Sequence, residues 1–334
     1  MSSLSSKLRL QEVIRSLEDL TRVENLVRST FVSEAKLIDE ISSYLLTLGG
    51  KRIRPTLTLL CARALGENPA REKLIDVAAG IELIHMATLL HDDIIDESPL
   101  RRHKPSPLAR FGVAPTLLSG DFLLVRAFGL CARLDAVIIQ ATEAACVELV
   151  EGECIETPLH LAKHSLQTSL NISKKKTASL FRLAAFSAAH ILECSDECTA
   201  LFSSFGENLG IAFQILDDIL DVISDEETLG KKPGLDLIER KPSTVNVLWL
   251  ESGAPNAKRL LTPPNVEQDK GFVQESLHEL QNGPVIKEAK ALAAKYADQS
   301  RLDLSNALKL SKNVDKRAHT DLETLIDFTL ERIV

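Results

Sequence analysis

Aromatic side chains are scarce in this chain: one tryptophan, two tyrosines and 11 phenylalanines make up 4% of its 334 residues. Sheets fill their pleated surfaces with aromatic and β-branched residues. The shortage, beside abundant Leu, Ala, Glu and Lys, therefore favours an all-α protein. Strand-like alternation is missing as well. No period-2 pattern runs beyond a few residues, and there is no repeat of about 20 to 50 residues and no low-complexity tract. Positive charge is outnumbered, 39 Lys and Arg against 47 Asp and Glu, for a formal charge of −8. No basic field is left to meet a phosphate backbone, which argues against a nucleic-acid partner. Lys174-Lys175-Lys176, the one tight basic run, reads by itself as a solvated face. No uninterrupted apolar stretch reaches the roughly 18 to 20 residues that cross a bilayer, so no transmembrane segment is expected. The N-terminal stretch lacks the apolar core of a secretory signal and carries Glu12, Glu18 and Asp19, which a mitochondrial presequence would avoid. The expected location is the cytoplasm. Six cysteines, at 61, 131, 146, 154, 194 and 198, are scattered through helical stretches, a pattern of reduced and mostly buried thiols. Cys194 and Cys198 can share a helix face, but no histidine cluster accompanies them, so zinc is not expected.

What the chain has instead is acid set inside apolar runs. After ATLLH comes Asp92-Asp93-Ile-Ile-Asp96, followed at once by a proline and by Arg101-Arg102. Asp92 and Asp96 are four apart, one turn along the same helix face, where two bare carboxylates repel each other unless a cation sits between them. Hard ions such as Mg²⁺ take one or two protein carboxylates and leave their other positions to water and phosphate oxygens. The arginine forks suit phosphate. One such triplet alone reads more readily as a solvated helix end with a basic turn after it. The pattern recurs, however, in Gln214-Ile-Leu-Asp217-Asp218-Ile-Leu-Asp221, again after an apolar run, LGIAFQIL. Two carboxylate clusters on two buried helices point to one shared polynuclear metal site with a phosphate ligand.

Taken in order, residues 7–47 read as two helical segments ended by Gly49-Gly50. Lys51-Arg52-Ile53-Arg54-Pro55 then leads into TLTLLCARAL, an anion site where cations enter a helix, although alone it reads more readily as a capped turn whose basic side chains snorkel. Residues 71–91 form the helix that delivers the first triplet. His85, two turns before Asp92, lies on roughly the same side, although a lone histidine on an apolar helix is more often a core residue. Residues 114–165 read as long helices broken near Asp135 and Pro158. Residues 172–193 carry Lys176-Thr177 into a further helix, and residues 200–224 hold the second triplet. Gly230 to Asp236 is loop-like, residues 253–272 are a polar surface connection, and helices continue to the end.

In this order the elements resemble the trans-isoprenyl (polyprenyl) diphosphate synthase family, most of all its long-chain, octaprenyl-type branch. The match runs from about Leu48 to Lys241. It comprises Gly49-Gly50-Lys51-Arg52-Ile53-Arg54-Pro55, His85, Asp92-Asp93-x-x-Asp96 and Arg101-Arg102. Gly120-Asp121, Glu151-Gly152-Glu153, Lys176-Thr177, Gln214-x-x-Asp217-Asp218-x-x-Asp221 and Gly230-Lys231-x-x-Gly234-x-Asp236 complete it. The resemblance implies a single domain over 1–334, an all-α bundle around a deep central cavity. In that family the aspartate motifs hold three Mg²⁺ ions against an allylic diphosphate. Asp92 and Asp96 would be ligands with Asp93 in support, and Asp217 would be a ligand with Asp218 and Asp221 beside it. Arg101, Lys176 and Lys231 would contact the allylic diphosphate, and Lys51, Arg54, His85 and Arg102 the diphosphate of isopentenyl diphosphate. Thr177 and Gln214 would present oxygen dipoles to an allylic cation, in an ionisation, condensation and elimination sequence kept dry.

Three positions depart from the pattern: His103 and Arg240 stand where glycine is usual, and Glu156 where long-chain relatives often carry glutamine. Small residues at Ala87 and Thr88 would lower the channel floor by at least one turn, about 5.4 Å. The next floor candidates are Leu83 and Ile84, with Leu124, Phe128 and Cys131 opposite. The expected product is near C40, for quinone side chains, made from farnesyl diphosphate by a homodimer. A geranylgeranyl-type synthase and a non-catalytic regulatory subunit are the rivals. A terpene cyclase fits less well because the second triplet is intact, and a di-metal oxidase lacks its Glu-x-x-His pairs.

Overall fold

Apolar residues on every side of one long helix make it a core element. That helix is α5 (Arg71–Ile95), in which Leu74, Val77, Ile81, Leu83, Ile84, Ala87 and Leu90 are all buried. The computed structural model describes residues 6–66, 71–224, 233–265, 271–311 and 314–331. Before α5 come α1 (Ser6–Ser16), α2 (Glu18–Ser29), α3 (Lys36–Thr47) and α4 (Ile53–Ala64). The stretch expected to hold two helices thus holds three. Leu17, at φ −90° and ψ 86°, separates α1 from α2, and residues 30–35 separate α2 from α3.

After α5 a two-stranded hairpin pairs Leu100 with Pro105 and Arg101 with Lys104. Its turn residues Arg102 and His103 sit at φ 52° and 64°. That left-handed conformation strains a side chain where glycine would be free. Arg240, the second such departure, is likewise at φ 58°. Next come α6 (Pro107–Phe111), α7 (Val113–Cys131) and α8 (Ala136–Ile155), the last capped by Asp135, whose carboxylate accepts from the amides of Val137 and Ile138. The expected breaks near Asp135 and Pro158 are where they should be.

Two close approaches fix how α5 meets α7. A Cβ on Gly120 would fall 2.2 Å from His91 Nε2, and one on Gly80 would fall 3.0 Å from Cys131 Sγ. His91 and Gly80 are as far apart along α5 as Gly120 and Cys131 are along α7, in opposite order. The helices are therefore antiparallel in constant register, which sets Ala87 level with Leu124 and Leu83 level with Phe128.

Residues 172–193, read as one helix, are three elements. α9 (Leu166–Ser173) passes into a π-helical turn (Lys174–Ala178) and then into α10 (Ser179–Ile191). The second triplet lies on α11 (Asp196–Ile223), which starts at Ser195, whose hydroxyl accepts from Cys198 N. α11 packs along α10 and along the helix Val285–Leu310. One hydrophobic cluster gathers α1 to α5, α7, α10 and the first half of α11. A second surrounds the rest of α11 with Trp249, Phe272 and Leu280. Tyr296 and Leu330 pack against both.

The expectation about membrane-length helices needs correction. By length and composition α5 and α7 both qualify, because a spanning helix tolerates an occasional charge and need not be an unbroken apolar run. The apolar window of α5 is 72% buried, as in a core helix, but that of α7 is only 33% buried. The six cysteines are free, with Cys61, Cys131 and Cys198 buried and Cys154 exposed.

Candidate active site

The C-terminal parts of α5 and α11 face one cavity of about 1310 Å³. Twelve of the residues singled out in the sequence line it: Lys51, Arg54, His85, Asp92, Asp96, Arg102, Lys176, Thr177, Gln214, Asp217, Asp218 and Asp221. Asp93 and Arg101 do not, and Lys231 lies outside the described residues.

Helix phase separates the acids of each triplet. Asp93, one residue round from Asp92, is buried and turned to the hairpin, where Arg101 holds its Oδ1 from Nε at 2.8 Å and Nη2 at 2.7 Å. The same guanidinium also donates to Leu89 O. Asp93 and Arg101 thus lock the hairpin to the end of α5. Asp92 faces the cavity. Burial pushes its carboxyl up to about 7, against the pull of Lys176 and with help from Glu153 and Asp96. Asp96 pairs with Lys241 at 3.0 Å.

On α11, Asp218 accepts from Gln214 Nε2 at 2.9 Å and from the backbone N–H of Thr244 at 2.8 Å. Burial and then neighbouring Asp236 raise it. Asp221 accepts from the backbone N–H of Asp236 at 3.1 Å, and its carbonyl accepts from Gly234 at 2.7 Å. Asp218 and Asp221 therefore tie down the chain that follows α11. Asp217 lies close enough to Arg54 to favour its charge.

The cations form two groups. One surrounds Glu82, a buried acid inside the apolar face of α5. Arg52 donates to it from Nη1 at 3.0 Å and to Glu24 from Nε at 3.0 Å. Arg54 and Arg102 also act on its charge. Arg54 is itself so deeply set that burial lowers its pKa, and its Nε is buried without a hydrogen-bond partner. Lys51 is held over the Phe328 ring at 4.8 Å. Gly49 and Gly50 leave room for the forks. Arg102 donates to Gly49 O, and a Cβ on Gly50 would come 2.5 Å from Arg52 Nη1. His85 faces this group and is held neutral, its pKa well below the ordinary value through burial and then Arg54, Arg101 and Arg102.

The second group is Lys176 and Lys241. Lys176 contacts Glu153 at 2.7 Å and also Glu156, and Lys241 contacts Asp96 and Glu239 at 3.0 Å each. Thr177 donates to Gln214 Oε1 at 2.5 Å, which orients the amide toward Asp218. The π-turn is what presents Lys176 and Thr177, and such turns often mark functional sites.

Among the described residues, no three His, Cys, Asp or Glu side chains converge to hold an ion by themselves. That fits a hard ion drawing one or two carboxylates from each helix and the rest from phosphate. Asp92 supports the same fit, since its carboxyl faces the cavity, and a cation there would offset the burial that pushes it up to about 7. Sequence reasoning quoted Arg52, Glu153 and Asp236 within motifs without giving any of them a role of its own, and gave none to Glu82 or Lys241. Glu82 carried a usable signal, a lone acid in an apolar helix one turn before His85. Lys241 carried none beyond its neighbour Arg240.

A family model described as polyprenyl synthetase matches residues 35–279. The octaprenyl diphosphate synthase of Escherichia coli is 35% identical over 257 residues, 76% of this chain and 78% of that protein. A geranylgeranyl diphosphate synthase of Methanosarcina mazei is 33% identical over 229 residues, covering 66% of this chain and 70% of its own. The crystal structure of a polyprenyl synthase from Caulobacter crescentus, complexed with calcium and isoprenyl diphosphate, superposes with a TM-score of 0.88. It is 30% identical, and the superposition covers 97% of this chain and 98% of that one.

Proposed function

The chain belongs to the polyprenyl synthetase family, and from that premise we propose that it is a trans-prenyltransferase that lengthens an allylic diphosphate with isopentenyl diphosphate. The observation that carries the reading is the single cavity on which both aspartate motifs and both cation groups open. Asp92, Asp96 and Asp217, with Asp221 near them, would hold Mg²⁺, three ions by analogy with the family. Bound there, the ions supply Lewis-acid neutralisation of charge on the departing diphosphate.

The chain's own residues do the rest. Lys176 and Lys241 would bind oxygens of the allylic diphosphate. Arg101, locked to Asp93, would serve that site by fixing the hairpin, and Lys231 is assigned to it by resemblance. Lys51, Arg54 and Arg102 would hold the diphosphate of isopentenyl diphosphate, with the orphaned Arg54 N–H satisfied by a phosphate oxygen. His85 in its neutral form can accept or donate one hydrogen bond there without adding charge. Thr177 and Gln214, already bonded to each other, present oxygen lone pairs to a developing allylic cation and are too weakly nucleophilic to capture it. The proton lost after condensation would pass to the released diphosphate.

We place the product near C40, destined for a quinone side chain, with farnesyl diphosphate as starter. Small Ala87, level with Leu124 at the α5–α7 seam, supports this, because a chain could part the seam there. A second reading, a geranylgeranyl-type synthase, draws on the same place: Leu83, Ile84 and Ala87 are fully buried and stand behind the cavity wall, which α5 forms there with Glu82, His85, Met86, Thr88 and Leu89. The relatives include both product lengths at similar identity. We also infer a homodimer, supported by apolar side chains exposed on α7 and α8.

A product assay tests these readings together. Purified protein would be incubated with Mg²⁺, labelled isopentenyl diphosphate and farnesyl diphosphate, and the dephosphorylated products sized. A ladder ending near C40 is expected. Termination at C20 would keep the chemistry and move the floor up to Ala87. No elongation by folded protein would overturn the synthase reading in favour of a regulatory subunit.

A further inference from the structure

Both lysines of the second cation group are already occupied, each by two carboxylates. Lys176 Nζ touches Glu153 Oε2 at 2.7 Å and Glu156 Oε2 as well. Lys241 Nζ touches Asp96 Oδ1 and Glu239 Oε2, both at 3.0 Å. Glu156 acts on both cations, by contact with Lys176 and by attraction to Lys241. Of the four, only Asp96 and Glu156 line the cavity. Asp96 belongs to the first aspartate motif, but Glu156 belongs to neither motif.

The position of Glu156 is fixed from both sides. It closes α8, its amide bonded to Gly152 O and Glu153 O, so its carboxylate comes off a rigid helix end. Its side chain is 17% exposed, against 24% for Lys176 and 22% for Lys241. Water screens such a trio only partly, and an enclosed charged contact is stronger than an exposed one. A diphosphate entering this end of the cavity meets ammonium groups that already have an anion.

We propose that Glu156 is a positioning residue that stands in for a diphosphate on Lys176 and Lys241. It keeps the two ammonium groups in place while the site is free and competes with the diphosphate for them when it arrives. This rests on the reading of the site as an allylic diphosphate site. Inorganic diphosphate is the fragment left after each condensation, and it must leave before the lengthened chain can take its place. A resident carboxylate lowers the affinity of the site for that fragment and returns to the lysines as it departs. No bond is made or broken at Glu156.

The test uses magnesium and inorganic diphosphate as the probe. Their binding to the full-length protein would be followed by calorimetry, and inhibition against the allylic substrate by kinetics. Glu156→Gln removes the charge and keeps the shape. It is expected to tighten diphosphate binding about three- to tenfold and to lower KM for the allylic substrate in proportion. KM for isopentenyl diphosphate should move less than about twofold, because its cations cluster on Glu82. Glu156→Asp, which keeps the charge on a shorter arm, should fall between the two proteins, and it serves if the glutamine variant does not fold. Unchanged or weaker binding in Glu156→Gln would overturn the proposal and leave Glu156 a structural support for Lys176. Calorimetry separates this result from failure of the synthase reading. A wild-type protein that binds diphosphate but transfers no prenyl group sinks that reading while leaving Glu156 testable.

Discussion

His85 is a neutral imidazole among guanidinium groups, and that has a consequence for stability. Its pKa in the folded protein lies well below 6.5, from burial first and then from Arg54, Arg101 and Arg102. In the unfolded chain it titrates at about 6.5. As pH falls through that value the unfolded state takes up a proton that the folded state refuses, so stability present above about pH 6.5 is lost below it. The loss is at most about 1.4 kcal/mol per pH unit until His85 itself protonates in the fold. His85→Gln should therefore flatten the fall of Tm between about pH 7 and pH 5, measured by calorimetry without ligands, whereas an equally steep fall in the variant would assign it to other groups. At this same scale the sequence was most readable where helix phase could be applied. Spacing of four put Asp92 and Asp96 on one face, and the cavity receives both. The acids between them are chemically identical to their neighbours, so residue type could not say that Asp93 would turn to Arg101 or Asp218 to Thr244. Those partners come from the hairpin and from the start of a later helix.

The π-turn at Lys174–Ala178 shows where local reading stops at the scale of elements. KKKTA contains no glycine or proline, and helical periodicity runs straight across it. What packs against it is distant in sequence. A Cβ on Gly152 would meet Lys176 Cγ at 2.8 Å and Lys175 Cβ at 2.9 Å, and one on Gly210 would meet Ala178 Cα at 2.5 Å and its Cβ at 2.8 Å. One turn earlier on α11, a Cβ on Gly206 would meet Phe181 O at 2.5 Å. α8 and α11 thus press on the turn from two sides, and missing side chains let them do so. Such contacts could not be read from the glycines themselves, since a glycine inside a helix usually only weakens it. Gly210→Ala sets a methyl group against backbone, which cannot swing aside. It should cost about 1 to 3 kcal/mol in denaturant unfolding and lower kcat through displaced Lys176 and Thr177. A variant with normal stability and normal turnover would show that the turn does not need this close approach. The break between α1 and α2 was missed for a simpler reason: a one-residue interruption at Leu17 leaves the apolar period intact.

For the whole molecule, α7 is the element whose surroundings are incomplete in one chain. At about 100° per residue, Leu117, Leu118 and Val125 fall on the arc opposite Leu123, Ala127 and Leu130, which pack toward α5. Leu118 is 58% exposed and Val125 70%. On α8, Val147 and Val150 continue the patch, Val150 at 65% exposure. Single exposed apolar side chains need no explanation, but several on two adjacent long helices form the kind of face that a stable partner covers. A second copy of this chain would bury that face about a two-fold axis, as most homo-oligomers do. The protein should then sediment near twice its 36.7 kDa chain mass at micromolar concentration. Val125→Asp together with Val150→Asp should shift it toward the single-chain mass. Exposed substitutions usually change chain stability by no more than about 0.5 kcal/mol, so the far-ultraviolet circular dichroism should survive the change in mass. A wild-type protein that sediments as one chain at that concentration would refute the dimer and leave the face of α7 to some other partner.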